Sequence, residues 1–174
     1  LQGYGLTECA PMAALNPDDN PRNDSIGHIL PGDEAMIADK NEEGIGEICL
    51  KGPNVMMGYY HMPEETKKVL VDGWFHTGDL GYMDGSYLYL TGRKKNVIIT
   101  RNGKNVFPEE LEYYLGKVSL VAESMVWAAK DKDGQDDMIV ATIRPDMEEV
   151  EAALGKEAAQ DAAKVEQLLW NEVD

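Results

Sequence analysis

From about residue 20 to residue 93 the chain is never apolar for long before a turn pair interrupts it. Pro31-Gly32, Glu43-Gly44, Asp72-Gly73 and Asp84-Gly85 are the interruptions. Between them Ile45-Gly46-Glu47-Ile48-Cys49-Leu50 and Ser86-Tyr87-Leu88-Tyr89-Leu90 alternate with the period of a strand. Such a segment can only build short, tightly connected strands, so a small irregular β-barrel or sheet is expected. One helix is predicted inside it, over Pro63-Glu64-Glu65-Thr66-Lys67-Lys68-Val69-Leu70, with proline in the first turn and acids near the amino end.

After Arg93 the pattern changes. Val97-Ile98-Ile99-Thr100 reads as a β-branched strand, and Asn102-Gly103 is a favoured pair for a reversal into Asn105-Val106-Phe107. Pro108 then opens a helix in which Leu111 and Leu115 share a face and which Gly116 ends. Strands are expected at about 122–129 and 138–144, stopped by Pro145-Asp146. From Met147 a helical stripe runs through Val150, Leu154, Ala158, Ala162, Val165, Leu169 and Val173, with a break at Gly155. The fold class is therefore α+β: a β-rich first part, residues 1–93, followed by an α+β part, residues 94–174. The 174 residues suffice for one ordinary domain or two small ones.

The formal net charge of −16 argues against nucleic acid, whose phosphates this surface would repel. Yet Arg93, Lys94, Lys95, Arg101 and Lys104 form a basic strip with no acid among residues 93 to 104. A local positive strip on an acidic protein suits a small polyanion. Cys9 and Cys49 have no CxxC spacing, so neither a zinc site nor a disulfide framework is indicated, and a reducing, cytoplasmic setting is expected. No apolar run approaches the roughly 20 residues that span a bilayer. A lipid substrate would be met from the water or at a membrane surface. Neither GxSxG nor HExxH occurs. In Asp131-Lys132-Asp133-Gly134-Gln135-Asp136-Asp137 the glycine comes too early for an EF-hand, so a hairpin turn is expected there.

Three glycine-flanked segments carry the chemistry: Tyr4-Gly5-Leu6-Thr7-Glu8, then Thr77-Gly78-Asp79-Leu80, then Thr91-Gly92-Arg93-Lys94-Lys95-Asn96. A hydroxyl, two carboxylates and an arginine are what a Mg-ATP site needs, acids for the metal and the ribose diol and a cation for the phosphates. In this order, and followed by Gly103-Lys104-Asn105-Val106-Phe107-Pro108-Glu109-Glu110-Leu111-Glu112, the segments resemble the adenylate-forming superfamily of acyl-CoA ligases, luciferases and peptide-synthetase adenylation domains. The wording of the first and third segments is most similar to long-chain fatty acyl-CoA ligases.

That resemblance implies a two-step reaction. A fatty acid carboxylate attacks ATP, expelling pyrophosphate, and the CoA thiol then attacks the acyl-adenylate, expelling AMP. It implies clamps rather than nucleophiles: Thr7 on the AMP phosphate, Glu8 with Mg2+, and Tyr4 against adenine, with Gly3 and Gly5 letting the backbone approach the nucleotide. Asp79 would take the ribose hydroxyls, Arg93 ribose and phosphate, Lys95 the hinge between the two domains, and Gly103 the passage for the CoA thiol. His76 and Trp74 are expected to be structural. The bland alternatives are that Tyr4 is ordinary core, that Thr7 and Glu8 cap a local turn, and that Lys94, Arg101 and Lys104 are solvated charges. Since the chain opens on Leu1 in mid-motif and stops at Asp174 in an apparent helix, the large amino-terminal domain is expected upstream, and the fragment alone is expected not to adenylate. A ligase that loads an acyl carrier protein and a non-catalytic interaction module are the rival readings.

Overall fold

The computed structural model describes residues 2–100, 103–130 and 136–173. The residues divide into two compact units, Leu1–Lys95 and Asn96–Asp174. The turn expected at Asp131–Asp137, Asn102 of the expected reversal, and Arg101 of the basic strip lie wholly or partly outside the described residues.

In the first unit, β1 (Gly3–Gly5), β2 (Met12–Leu15) and β3 (His28–Ile29) form one antiparallel sheet in that order. A single 3-10 turn, Thr7–Cys9, joins β1 to β2. A second sheet is built from β4 (Glu34–Ala38), β5 (Gly46–Lys51), β6 (Leu70–Val71), β7 (Trp74–Asp84) and β8 (Tyr87–Arg93), with β5, β6 and β8 all pairing with β7. The described strands of this unit make two open sheets and no closed barrel, so of the two forms expected the sheet is the one observed. Helix α1 spans Pro63–Val69, with proline in its first turn and Glu64 and Glu65 there.

Ile48 and Leu88 are fully buried between Tyr4, Cys9, Ala13, Ala14, Ile26, Ile37, Leu50 and Phe75. The fully buried Ser25 joins the two sheets: its hydroxyl donates to the Leu88 carbonyl at 2.9 Å and accepts from Gly27 N–H. Alternation explains why Ile48 and Leu50 face inward, and the central position of β5 explains why Glu47 and Cys49 are buried as well.

In the second unit, β9 (Ile98–Ile99) and β10 (Asn105–Val106) pair antiparallel, and α2 follows over Pro108–Leu115. Gly116 ends α2 in a right-handed conformation, φ −66°, rather than the left-handed one glycine usually supplies there. Leu111 and Leu115 line one groove with Tyr114, Val126, Ile139 and Val173, a cavity of about 310 Å³. The antiparallel pair β11 (Val121–Lys130) and β12 (Asp136–Pro145) comes next. Asp146 then caps α3 (Met147–Leu154), its carboxylate accepting from Glu148 and Glu149 N–H. The break expected at Gly155 is observed, and a 3-10 turn, Ala158–Gln160, separates it from α4 (Ala162–Val173). Because the tail is two α-helices joined by a 3-10 turn and not one helix, Ala159 on that turn is buried beside Val150, Val165 and Leu120 where a single stripe would have placed Ala158.

Leu88→Ala leaves a void in the centre of the first unit and should destabilise it by about 2–5 kcal/mol in chemical denaturation. A loss below about 1 kcal/mol would mean that this core is not close-packed.

Candidate functional site

Glu47 pairs with Leu80 across β5 and β7, and Cys49 pairs with His76. Thr77, Gly78 and Asp79 are thus set against Ile48 alone, a bulge in an otherwise regular ladder. Gly78 has φ +74°, a conformation other residues adopt only at a cost. Thr77 secures the bulge: its hydroxyl donates to the Ile48 carbonyl at 2.7 Å and accepts from Asp79 N–H at 3.1 Å. The effect is to set Asp79, otherwise a strand residue, with its carboxylate between two donors.

Tyr4 Oη donates to Asp79 Oδ2 at 2.6 Å, and Arg93 Nε donates to Oδ1 at 2.9 Å. Arg93 stands directly opposite Asp79 across β7 and β8, so the separation of these two motifs in sequence is the length of one hairpin. One hairpin, β7 and β8, and the distant strand β1 therefore meet at one carboxylate. Asp79 is 9 % exposed, while the Arg93 guanidinium remains open to solvent. Burial, then the hydrogen bond to Asp79, pushes the Tyr4 phenol far above its ordinary value, so it is a permanent donor. Tyr4 belongs to the buried core and carries a polar contact as well, which joins two roles treated as alternatives in the sequence.

Gly3 and Gly5 flank Tyr4 on β1, both exposed. Thr7 is exposed on the 3-10 turn that follows, with the left-handed Ala10, φ 52°, closing it. Glu8 is half-buried on the same turn and is held twice by one loop. Its carbonyl accepts from Met56 N–H at 2.8 Å, and its Oε1 accepts from Tyr59 Oη at 2.8 Å.

Glu47, which the sequence marked only as part of a strand, lies beneath the bulge at 6 % exposure. Its Oε1 accepts from Gly78 N–H at 3.1 Å, and its Oε2 faces Lys94 Nζ at 3.0 Å and His76 Nδ1 at 3.1 Å. Burial alone would raise this carboxyl, but the hydrogen bonds from His76 and Lys94, the Lys94 charge and the Gly78 amide together hold it below the usual glutamate value. Lys94 is tied a second time, its N–H donating to the Gly78 carbonyl at 2.8 Å. It is therefore a paired cation and not a freely solvated one.

Cys49 Sγ lies 3.4 Å from His76 Nδ1, so Glu47, Cys49 and His76 present three ligand-type atoms within 4.8 Å of one another. Their chemistry fits a hydrogen-bonded cluster better than a metal centre. Burial and the neighbouring Glu47 push the Cys49 thiol up to about 11, which keeps it protonated, and the Lys94 ammonium already answers the carboxylate. Cys9 and Cys49 are both free and buried.

Lys95 is the last residue of the first unit. In the second unit Gly103 is exposed on the reversal between β9 and β10, φ +73°, its N–H donating to the Thr100 carbonyl. Lys104 is exposed, and its backbone bonds to Thr100 on both sides.

Residues 1–60 match the family described as AMP-binding enzyme. The chain is 44 % identical over 119 residues to the long-chain-fatty-acid–CoA ligase of Salmonella typhimurium, covering 64 % of this chain and 21 % of that protein. It is 39 % identical over 132 residues to the human long-chain-fatty-acid–CoA ligase ACSBG2, covering 74 % and 20 %. Among solved structures, ATP-bound MatB from Rhodopseudomonas palustris superimposes with a TM-score of 0.72 at 38 % identity, over 82 % of this chain and 30 % of that one. O-succinylbenzoate coenzyme A synthetase from Bacillus subtilis, in complex with AMP, gives 0.73 at 33 % identity, over 83 % and 31 %. The chain belongs to the AMP-binding, adenylate-forming enzymes. The two curated relatives compared above are both long-chain-fatty-acid–CoA ligases, and the chain spans about a fifth of their length.

Because the Glu47 carboxyl is held below its ordinary value, its ionised form stabilises the fold at neutral pH. That contribution is complete above the unfolded glutamate value of 4.5 and is lost as the pH falls through the lower folded value. Glu47→Gln should therefore cost about 1–3 kcal/mol at pH 7. The gap between wild type and variant should narrow in denaturant titrations below about pH 4.5; a gap independent of pH would contradict the assigned charge state.

Proposed function

We propose that this chain supplies the nucleotide-facing part of an ATP-dependent fatty acid CoA ligase, which forms an acyl-adenylate and passes the acyl group to CoA. The observation that carries the reading is the convergence of Tyr4 and Arg93 on the bulged Asp79. An ionised carboxylate has about four lone-pair sites, and these two donors use two of them. The remaining pair is the right number for the two hydroxyls of a ribose. Arg93, exposed beside it, offers a fixed cationic fork to phosphate.

On this reading Thr7 contacts the AMP phosphate, Lys95 is the hinge, and Gly103 leaves room for the CoA thiol. Gly103 is exposed and an added Cβ there would meet nothing within 4 Å, which is compatible with this last role. Both chemical steps develop negative charge and need no protein nucleophile, so the residues act by holding and neutralising.

A magnesium ion is implied by the family and fits Glu8. Tyr59 takes Oε1, and Oε2 has no hydrogen-bond partner among the described residues, leaving a hard oxygen donor of the kind Mg2+ prefers. The ion, when bound, neutralises phosphate charge; the chain's own contribution is to hold the carboxylate in place. Acyl transfer to a carrier protein instead of CoA would use the same first step and the same residues.

The test is fatty-acid-dependent ATP–pyrophosphate exchange by a ligase of the curated relatives' length that carries this segment. Asp79→Ala removes two charge-assisted hydrogen bonds to the ribose, about 1.5–3 kcal/mol each, and should lower kcat/KM for ATP at least about 100-fold. Exchange with no carboxylic acid at all, or an Asp79→Ala enzyme as active as wild type, would end the ligase reading.

A further inference from the structure

The loop that follows β5 holds Glu8 more firmly than a chance contact would. Met56 N–H donates to the Glu8 carbonyl at 2.8 Å, Tyr59 Oη donates to Glu8 Oε1 at 2.8 Å, and Asn54 Nδ2 donates to the Met12 carbonyl at 3.0 Å, so the loop is anchored both on the Thr7–Cys9 turn and on the start of β2 after it. Tyr59 is itself fixed from behind. Its N–H donates to Thr66 Oγ1 at 2.9 Å, and that hydroxyl, on α1, donates on to the carbonyl of Met62 just before the helix at 2.9 Å. Glycine at position 58 makes the approach possible: its φ is +145°, and an added Cβ would lie 2.7 Å from Thr66 Cγ2. A continuous set of contacts thus leads from α1 through Thr66 and the Tyr59 backbone to one oxygen of one carboxylate.

We propose that Tyr59 is a positioning residue for the cation-binding carboxylate, its phenol fixing Glu8 through Oε1 so that Oε2 is presented to a divalent ion held with a nucleotide. This rests on the ligase reading for the role of Glu8, while the contact itself is independent of it. A carboxylate on a half-buried turn would otherwise populate several rotamers, and each would have to be abandoned when the ion binds. The phenol removes that cost in advance and, as a neutral donor, does not cancel the charge the ion needs. Arginine or lysine in its place would pair with the carboxylate and compete with the ion. The neighbouring Tyr60 is exposed and makes no such contact with Glu8, which makes it the internal control.

Two measurements test this. In denaturant unfolding of the chain itself, Tyr59→Phe and Glu8→Ala should be non-additive in a double-mutant cycle, because each removes the same bond; additive effects would overturn the contact. In the full-length ligase, Tyr59→Phe should raise the Mg2+ concentration for half-maximal pyrophosphate exchange about three- to tenfold, a loss of about 0.6–1.4 kcal/mol in ion binding. The KM for the fatty acid should stay at the wild-type value, and Tyr60→Phe should not change the Mg2+ dependence. A wild-type Mg2+ requirement in Tyr59→Phe would overturn the positioning role. Absence of exchange in the wild-type enzyme would overturn the ligase reading and the cation role with it, whereas the cycle would still decide the bond.

Discussion

Asp79 can be both a strand residue and a ligand-facing carboxylate because β7 carries more residues than β5 opposite Ile48. A regular ladder would pair Asp79 like any neighbour and send alternate side chains to opposite faces at fixed spacing. The bulge breaks that spacing for one short stretch, and everything the candidate site needs is attached to the break. Thr77 closes it on the β5 side, Gly78 supplies the backbone angle, and Glu47 receives the Gly78 N–H that the ladder can no longer pair. On the other edge β8 keeps its register and brings Arg93 opposite Asp79. The site is therefore a property of two ladders, one regular and one interrupted, that share a strand.

Glu47 shows how such a break is kept from being costly. An unpaired buried amide would destabilise the strand, and an unpaired buried carboxylate would destabilise it more. Each meets the other's need, and Lys94 brings the balancing charge from the end of β8, its own N–H bonded to the Gly78 carbonyl. His76, expected to be structural, is on the same carboxylate. Because Lys94 directly precedes Lys95, where the first compact unit ends, the tie to Glu47 fixes the chain up to that boundary. If Lys95 is the hinge, motion begins one residue beyond a doubly anchored lysine, which would keep a rotation from disturbing Asp79.

How much of this the sequence disclosed depends on whether the interaction was local. Helix α1 with its amino-terminal proline, the strand through Ile48, the reversal at Gly85 and the break at Gly155 were legible, since each rests on turn chemistry or periodicity within a few residues. Asp79 and Arg93 were legible by the wording of their motifs, not by any pattern that placed them opposite each other. Glu47 and Tyr59 were not legible. An acid in an alternating strand reads as a solvent-facing residue, and a tyrosine after glycine reads as loop; only contacts 31 and 51 residues distant give them their roles. The tail failed for a related reason. A stripe drawn through one continuous helix selects Ala158, whereas the break at Gly155 and the 3-10 turn after it bury Ala159.

The same distinction separates the two carboxylates that face the proposed nucleotide. Asp79 is nearly buried and has a permanently protonated phenol on one oxygen and a guanidinium on the other. Such a group is fixed before any ligand arrives and is suited to recognising a neutral diol, where orientation matters more than charge. Glu8 is less buried and has one neutral donor on one oxygen, so its charge is left largely uncompensated for a cation. Both are oriented by a tyrosine, Tyr4 from the sheet that bears Glu8 and Tyr59 from the loop after β5, but only Asp79 is also neutralised. Tyrosine is the side chain that can do both, since its phenol donates without adding charge and its ring packs into the surrounding apolar contacts.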